Sequence, residues 1–94
     1  MKVVFKESFL QRLGSQVNYI SRHHPANARK FKNELITLIK TIPNNPYRFR
    51  KSIYFDIDEV RDLLFKGYTV VFRIAYSRIE VFGLVKHQQN PTDD

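Results

Sequence analysis

The 94-residue sequence contains no cysteine, so neither a disulfide framework nor a thiolate metal site is available to it. That absence fits a reducing compartment. Its three glycines, Gly14, Gly67 and Gly83, stand far apart, which excludes a glycine-rich phosphate loop. No apolar run approaches the length needed to cross a bilayer. The opening MKVVFKESF reaches Lys6 and Glu7 after only Val3, Val4 and Phe5, so no secretory leader is expected and the chain is expected to be cytoplasmic. There are no internal repeats and no low-complexity segment. His23-His24 has no nearby carboxylate, and Asp56, Asp58 and Glu59 lack the glycine and distal glutamate of a calcium loop. No metal and no cofactor are therefore expected.

What the chain has in excess is positive charge, a formal +7. Such a balance opposes self-association and favours an anionic partner, whether RNA, DNA, ribosome surface or an acidic protein segment. The length suits one domain, residues 1–94, with a polar, frayed tail from residue 90 onward.

The apolar pattern gives the element order. Residues 2–5, KVVF, predict a short strand. From Glu7 to about His23, Leu10, Leu13, Val17 and Ile20 recur at helical spacing, with Gly14 weakening the helix unless it serves a close contact. His24-Pro25 breaks the pattern and starts a second helix running to about Ile42, with Ala28, Phe31, Leu35, Leu38, Ile39 and Ile42 on one face. So short a connection folds the two helices back as a hairpin. Residues 47–59 read as an ordered loop with a short strand near Ser52–Phe55. Arg48, Arg50 and Lys51 interleave there with aromatic rings, a composition suited either to phosphate contact with base stacking or to plain coverage of the core edge.

Three strands come next: Val60–Phe65, Tyr68–Tyr76 and Ile79–His87, with turns at Lys66-Gly67 and Ser77-Arg78. Tyr68, Val70, Phe72, Ile74 and Tyr76 are expected to face the helices, leaving Thr69 and Arg73 on an open face. The predicted fold is α+β: an N-terminal strand, an antiparallel helix hairpin, then a three-stranded meander, forming a mostly antiparallel sheet with helices on one face.

The stretch VRDLLFKGYTVVFRIAYSRIEVFGLVKH, behind a basic helix hairpin, resembles the RelE/ParE superfamily of toxin–antitoxin toxins. Its members show an R-x-L, GY-x-x-x-Y, I-x-V/I meander, met here by Arg61, Leu63, Gly67, Tyr68, Phe72, Ile79 and Val81. The resemblance covers most of the chain, from Lys2 to about Gln89. It implies a cytoplasmic toxin neutralised by a cognate antitoxin. RelE-like members cut mRNA in the ribosomal A site, whereas ParE-like members inhibit DNA gyrase without a known nuclease centre.

RNA cleavage needs a group to deprotonate the 2′-hydroxyl, cations for the developing charge and an acid for the leaving oxygen. RelE-like toxins usually carry an arginine after the GY tyrosine; Thr69 stands there. Their second arginine, near the end of the last strand, falls on Gln89. The histidine and arginine of ParE-like toxins fall on Lys86 and Gln89. The catalytic histidine of the YoeB branch falls on His87, an acid–base residue by its chemistry. The resemblance therefore implies a candidate catalytic set of His87 with Arg73, Lys86 and Arg61, and the basic-aromatic loop adds Arg48, Arg50 and Lys51 as candidate RNA or anion contacts. Alongside it stands the plain reading of His87 as a polar strand end. The preferred expectation is a ribosome-dependent mRNA endonuclease. The alternatives are a gyrase-inhibiting toxin acting by binding, and an inactive member that only binds antitoxin. The antitoxin would fold on the basic hairpin and the open sheet face, across Arg73 and His87. Both a homodimer and a toxin–antitoxin hetero-oligomer stay open.

Overall fold

The computed structural model describes residues 1–87; the predicted tail and the Gln89 position lie outside the described residues. Strand β1 (Lys2–Phe5) is followed by helices α1 (Glu7–Ser21) and α2 (Pro25–Ile39). Two 3₁₀ turns, Ile42–Asn44 and Pro46–Arg48, lead to the strands β2 (Arg50–Lys51), β3 (Val60–Phe65), β4 (Tyr68–Ile74) and β5 (Arg78–Lys86). The five strands form one sheet in the order β1-β5-β4-β3-β2. All neighbours are antiparallel except β1, which runs parallel to the first half of β5. The helices cover one face, as the apolar pattern predicts. Among the described residues no helix is long and apolar enough to cross a membrane.

Parallel pairing of β1 requires a crossover, and the helix hairpin supplies it. Beyond Val81 the outer edge of β5 has no strand partner among the described residues, and α1 covers it instead. Lys6 donates its amide to the Val81 carbonyl at 2.8 Å, and the Ser8 hydroxyl donates to the Phe82 carbonyl at 2.7 Å. Starting at this edge turns Phe9 inward, against Phe5, and leaves Leu10 exposed. The buried stripe of α1 is thus Phe9 and Leu13, with Val17 and Ile20 at its margin, and not the stripe through Leu10 predicted from spacing. Helix α2 buries Ala28, Phe31, Leu35 and Ile39 as expected, but ends at Ile39. Pro43 has no amide to give, so the helix cannot run through it, and the chain tightens instead, with the Thr41 amide on the Leu38 carbonyl at 3.1 Å. Ile42 still plugs the core, from the 3₁₀ turn.

The turn between β3 and β4 places Lys66 and Gly67 at φ 46° and 79°. Positive φ at both central residues matches the right-handed twist of a two-residue hairpin. Along β4 the predicted alternation holds from Tyr68 to Ile74. It stops there: Ala75 bonds back to Arg78, and Tyr76 sits fully exposed at the turn rather than against the helices.

A bulge in β5 sets which face each residue at the end of that strand occupies. Val71 pairs with Gly83 and Phe72 with Val81, so Phe82 is an extra residue. The slip reverses the parity of the strand end. Ile79, Val81, Leu84 and Lys86 fall on the helix side, while Glu80, Gly83, Val85 and His87 fall on the other.

That other face is less open than expected, because Thr69 and Val71 are buried. The loop from Ser52 to Ile57 folds toward it, with Phe55 meeting the edge of Phe82 at 5.6 Å. The strand expected near Ser52–Phe55 is instead Arg50–Lys51. The reason is Asp62, whose buried carboxylate takes the Ile53 amide at 3.1 Å and pulls the chain out of ladder geometry.

Candidate functional site

His87 and Thr69 form the one contact, among the described residues, that joins two positions singled out for chemistry. The His87 amide donates to the Gly67 carbonyl at 2.8 Å, and its Nε2 lies 2.6 Å from Thr69 Oγ1. The tautomer sets which of the two donates. His87 is exposed and Thr69 fully buried, so the ring covers the hydroxyl at the rim of the face.

The cations expected to surround His87 are elsewhere. Arg73 shares its face but lies four residues along β4 from Thr69, about 13 Å at the rise of a strand. It is bound to Glu80 through Nε at 3.0 Å and Nη2 at 2.7 Å, and Arg78 reaches the same carboxylate at 2.7 Å. Hydrogen bonds from Arg78 first, then Arg73, hold the Glu80 carboxyl below the usual glutamate range. Arg61 pairs in register with Phe72 and therefore belongs to the helix side. Its guanidinium stitches β3 to the preceding loop: Nε to the Asp58 carbonyl at 2.8 Å, Nη2 to the Asp58 carboxylate at 2.8 Å, Nη1 to the Phe49 carbonyl at 3.1 Å, with Tyr47 stacked at 4.9 Å. Lys86 also points to the helix side, its ammonium 5.2 Å from the centre of the Tyr19 ring. The four candidate catalytic side chains thus divide between two faces of one sheet.

The basic-aromatic loop is largely neutralised within the fold. Arg50 is tied to the buried Asp62 at 3.2 Å and Lys51 to Asp56 at 3.2 Å. Arg48 donates to the Thr41 hydroxyl at 3.2 Å and lies over the Phe49 ring. The loop also offers apolar surface to solvent: Ile53, Tyr54, Phe55 and Ile57 are exposed beside Asp56, Asp58 and Glu59, and Leu64 joins them from β3. A cleft of about 360 Å³ runs between Tyr54 and Phe55 on one side and Ser8, Arg12 and the Gly83–Val85 edge on the other. Charge counting conceals this surface; its signal is the run IYFDI, four large apolar residues in a segment that reads as loop. Asp62 and Glu80 escape the same reading, though a carboxylate inside VRDLLF or RIEVF is conspicuous against its apolar neighbours. Among the described residues no group of three histidine or carboxylate side chains could hold a metal ion.

A family model described as the ParE toxin of a type II toxin-antitoxin system, parDE, matches residues 3–91. No curated protein matches the chain. Among solved structures, a chain described as the chromosomal ParDE TA system from P. aeruginosa superposes with a TM-score of 0.78 at 13% identity, over 94% of this chain and 97% of its own. At that identity the likeness is one of fold.

Proposed function

Because the chain belongs to the ParE toxin family of type II toxin–antitoxin systems, we propose that it acts by binding its target and not by cutting RNA, and that a cognate antitoxin holds it inactive. The observation that carries this reading is the dispersal of the cations. Phosphodiester cleavage needs positive charge converging on one phosphate with an acid–base group beside it. Here Arg73 is committed to Glu80, Arg61 to Asp58, and Lys86 stands on the other side of the sheet from His87. Among the described residues the His87 side chain bonds only Thr69, a hydroxyl in place of the arginine that RelE-like nucleases carry. A toxin that works by binding needs none of these groups to converge, and the resemblance to gyrase-inhibiting toxins makes DNA gyrase the target to test.

The antitoxin surfaces follow from the same distribution. The helix hairpin carries Arg12, Arg22, Arg29, Lys30, Lys32 and Lys40, and the opposite face carries the exposed apolar loop. A disordered, partly acidic segment that folds on binding suits both.

The test is a supercoiling assay with purified gyrase, run beside primer extension on cellular mRNA after brief induction of the toxin. Inhibition of supercoiling that is relieved by the antitoxin, with no new mRNA ends, is the expected result. In-frame mRNA cuts that disappear in His87→Ala would overturn the binding reading in favour of a ribosome-dependent nuclease.

A further inference from the structure

The bulge at Phe82 aims Lys86 into a cleft on the helix side of the sheet. This cleft, about 420 Å³, lies at the corner where α1 passes the paired ends of β4 and β5. Arg12, Ser15 and Gln16 line it from α1, and Tyr68 and Lys86 line it from the strands. It is distinct from the Thr69–His87 contact, which faces the other way.

Apart from Leu84, the lining is polar. Arg12 and Lys86 make no ion pair among the described residues, in contrast to Arg50, Lys51, Arg61, Lys66, Arg73 and Arg78. Tyr68 donates its hydroxyl to Gln16 Oε1 at 2.8 Å, which leaves the Gln16 amide nitrogen as a donor toward the cleft. Desolvation raises the Tyr68 pKa further above its ordinary value, so the hydroxyl keeps its proton. Ser15 adds a hydroxyl, and no carboxylate among the described residues lines the space itself; Gln11, which also lines it, donates its amide to the Glu7 carboxylate at 3.4 Å. Two cationic side chains and two neutral donors around a cavity of small-ligand size complement a multidentate oxyanion.

We propose that this cleft binds a phosphate group, with Arg12 and Lys86 neutralising its charge and Gln16 and Ser15 donating to its oxygens. The phosphate can belong to a free phosphate compound or to a single-stranded nucleic-acid backbone. Tyr19, half exposed beside Lys86, would give a neighbouring base a stacking surface in the second case. The proposal stands apart from the toxin reading, since it concerns binding by the purified chain and not its target.

The experiment is an NMR titration of the full chain with inorganic pyrophosphate and, separately, with a short oligothymidylate, each at low and raised salt. Saturable shifts at Arg12, Ser15, Gln16 and Lys86 are expected with at least one probe. Arg12→Gln and Lys86→Gln should each weaken binding about tenfold, the loss of one charge-assisted contact. Tyr68→Phe should weaken it less, by freeing Gln16 to turn away. Lys2→Gln removes the same charge from the exposed start of β1 and should change nothing. Tighter binding of the oligonucleotide with shifts at the Tyr19 ring would assign the site to a strand; equal or tighter binding of pyrophosphate would assign it to a free phosphate compound. Absence of saturable shifts at the cleft with both probes overturns the proposal. So does an equal loss in Lys2→Gln, which would mark diffuse attraction to a basic surface.

Discussion

Removing either partner of the Arg50–Asp62 pair breaks the same contacts but should not cost the same. The Asp62 side chain is fully buried and Arg50 is 41% exposed. One carboxylate oxygen accepts from Arg50 Nε and Nη2 at 3.3 and 3.2 Å and from the Ile53 amide at 3.1 Å; the other oxygen has no partner among the described residues. Arg50→Met leaves a buried anion with a single amide donor. One-sided loss of a fully buried pair costs about 3–5 kcal/mol, and the partial exposure of Arg50 reduces that to about 2–3 kcal/mol. Asp62→Asn keeps the shape and an acceptor for Ile53, and it releases Arg50 toward water, so about 1 kcal/mol is expected. In the double variant no buried charge remains. Its destabilisation should fall short of the sum of the single changes by about 1–2 kcal/mol. Urea unfolding of the four proteins, followed by circular dichroism and analysed at a common m-value, measures all three differences. Equal costs for the two single changes, or strict additivity, would show that Asp62 is not held as a buried anion and that the 52–57 loop is anchored by something else.

The remaining predictions concern two glycines and one carboxylate. Gly14→Ala should stabilise the chain by about 0.5–1 kcal/mol, since a Cβ there meets nothing within 4 Å and alanine favours the helix. Gly83→Ala should destabilise it by about 1 kcal/mol, because the new Cβ would lie 3.1 Å from the Cβ of Val71, a stiff and buried neighbour. Thermal melts read both, and equal signs would refute the packing argument. The arginines that hold the Glu80 carboxyl below its ordinary 4.5 make the folded state bind that proton less readily than the unfolded one. Its stabilisation is therefore present above about pH 4.5 and lost as the pH falls through the lower folded value. Glu80→Gln should flatten that part of the acid unfolding curve; an unchanged slope would mean that Glu80 is not coupled to folding.

Element types are legible wherever one period persists long enough to be read. The alternation from Tyr68 to Ile74 and the four-residue spacing of Phe31, Leu35 and Ile39 are of this kind. Failures come where a tertiary contact chooses between two local solutions. Phe9 and Leu10 are adjacent apolar residues, and only docking of α1 on the β5 edge turns Phe9 inward. Gly14 invites a close-packing explanation, yet it faces open space. The site is less legible than the fold, because a sequence shows a charge but not the partner that cancels it. Arg50 and Asp62, or Arg73 and Glu80, meet only after the strands are in register.

The bulge at Phe82 illustrates how much one backbone residue can decide. Without it, strand parity would align His87 with Ile79 and Val81 toward the helices and send Lys86 to the other face. With it, His87 reaches Thr69, and Lys86 joins Arg12 across the α1 corner. Nothing in the residue types of RIEVFGLVKH demands an insertion at Phe82. The three-dimensional reason is local: Gly83 lets the strand press against Val71, and the displaced Phe82 ring finds Phe55 in the loop that Asp62 anchors. The loop and the bulge therefore depend on each other, and the apolar surface they share lies opposite the basic helix hairpin. A partner that engages both sides would be steered toward the chain by one and retained by the other. Added salt should then slow its association far more than it speeds its release.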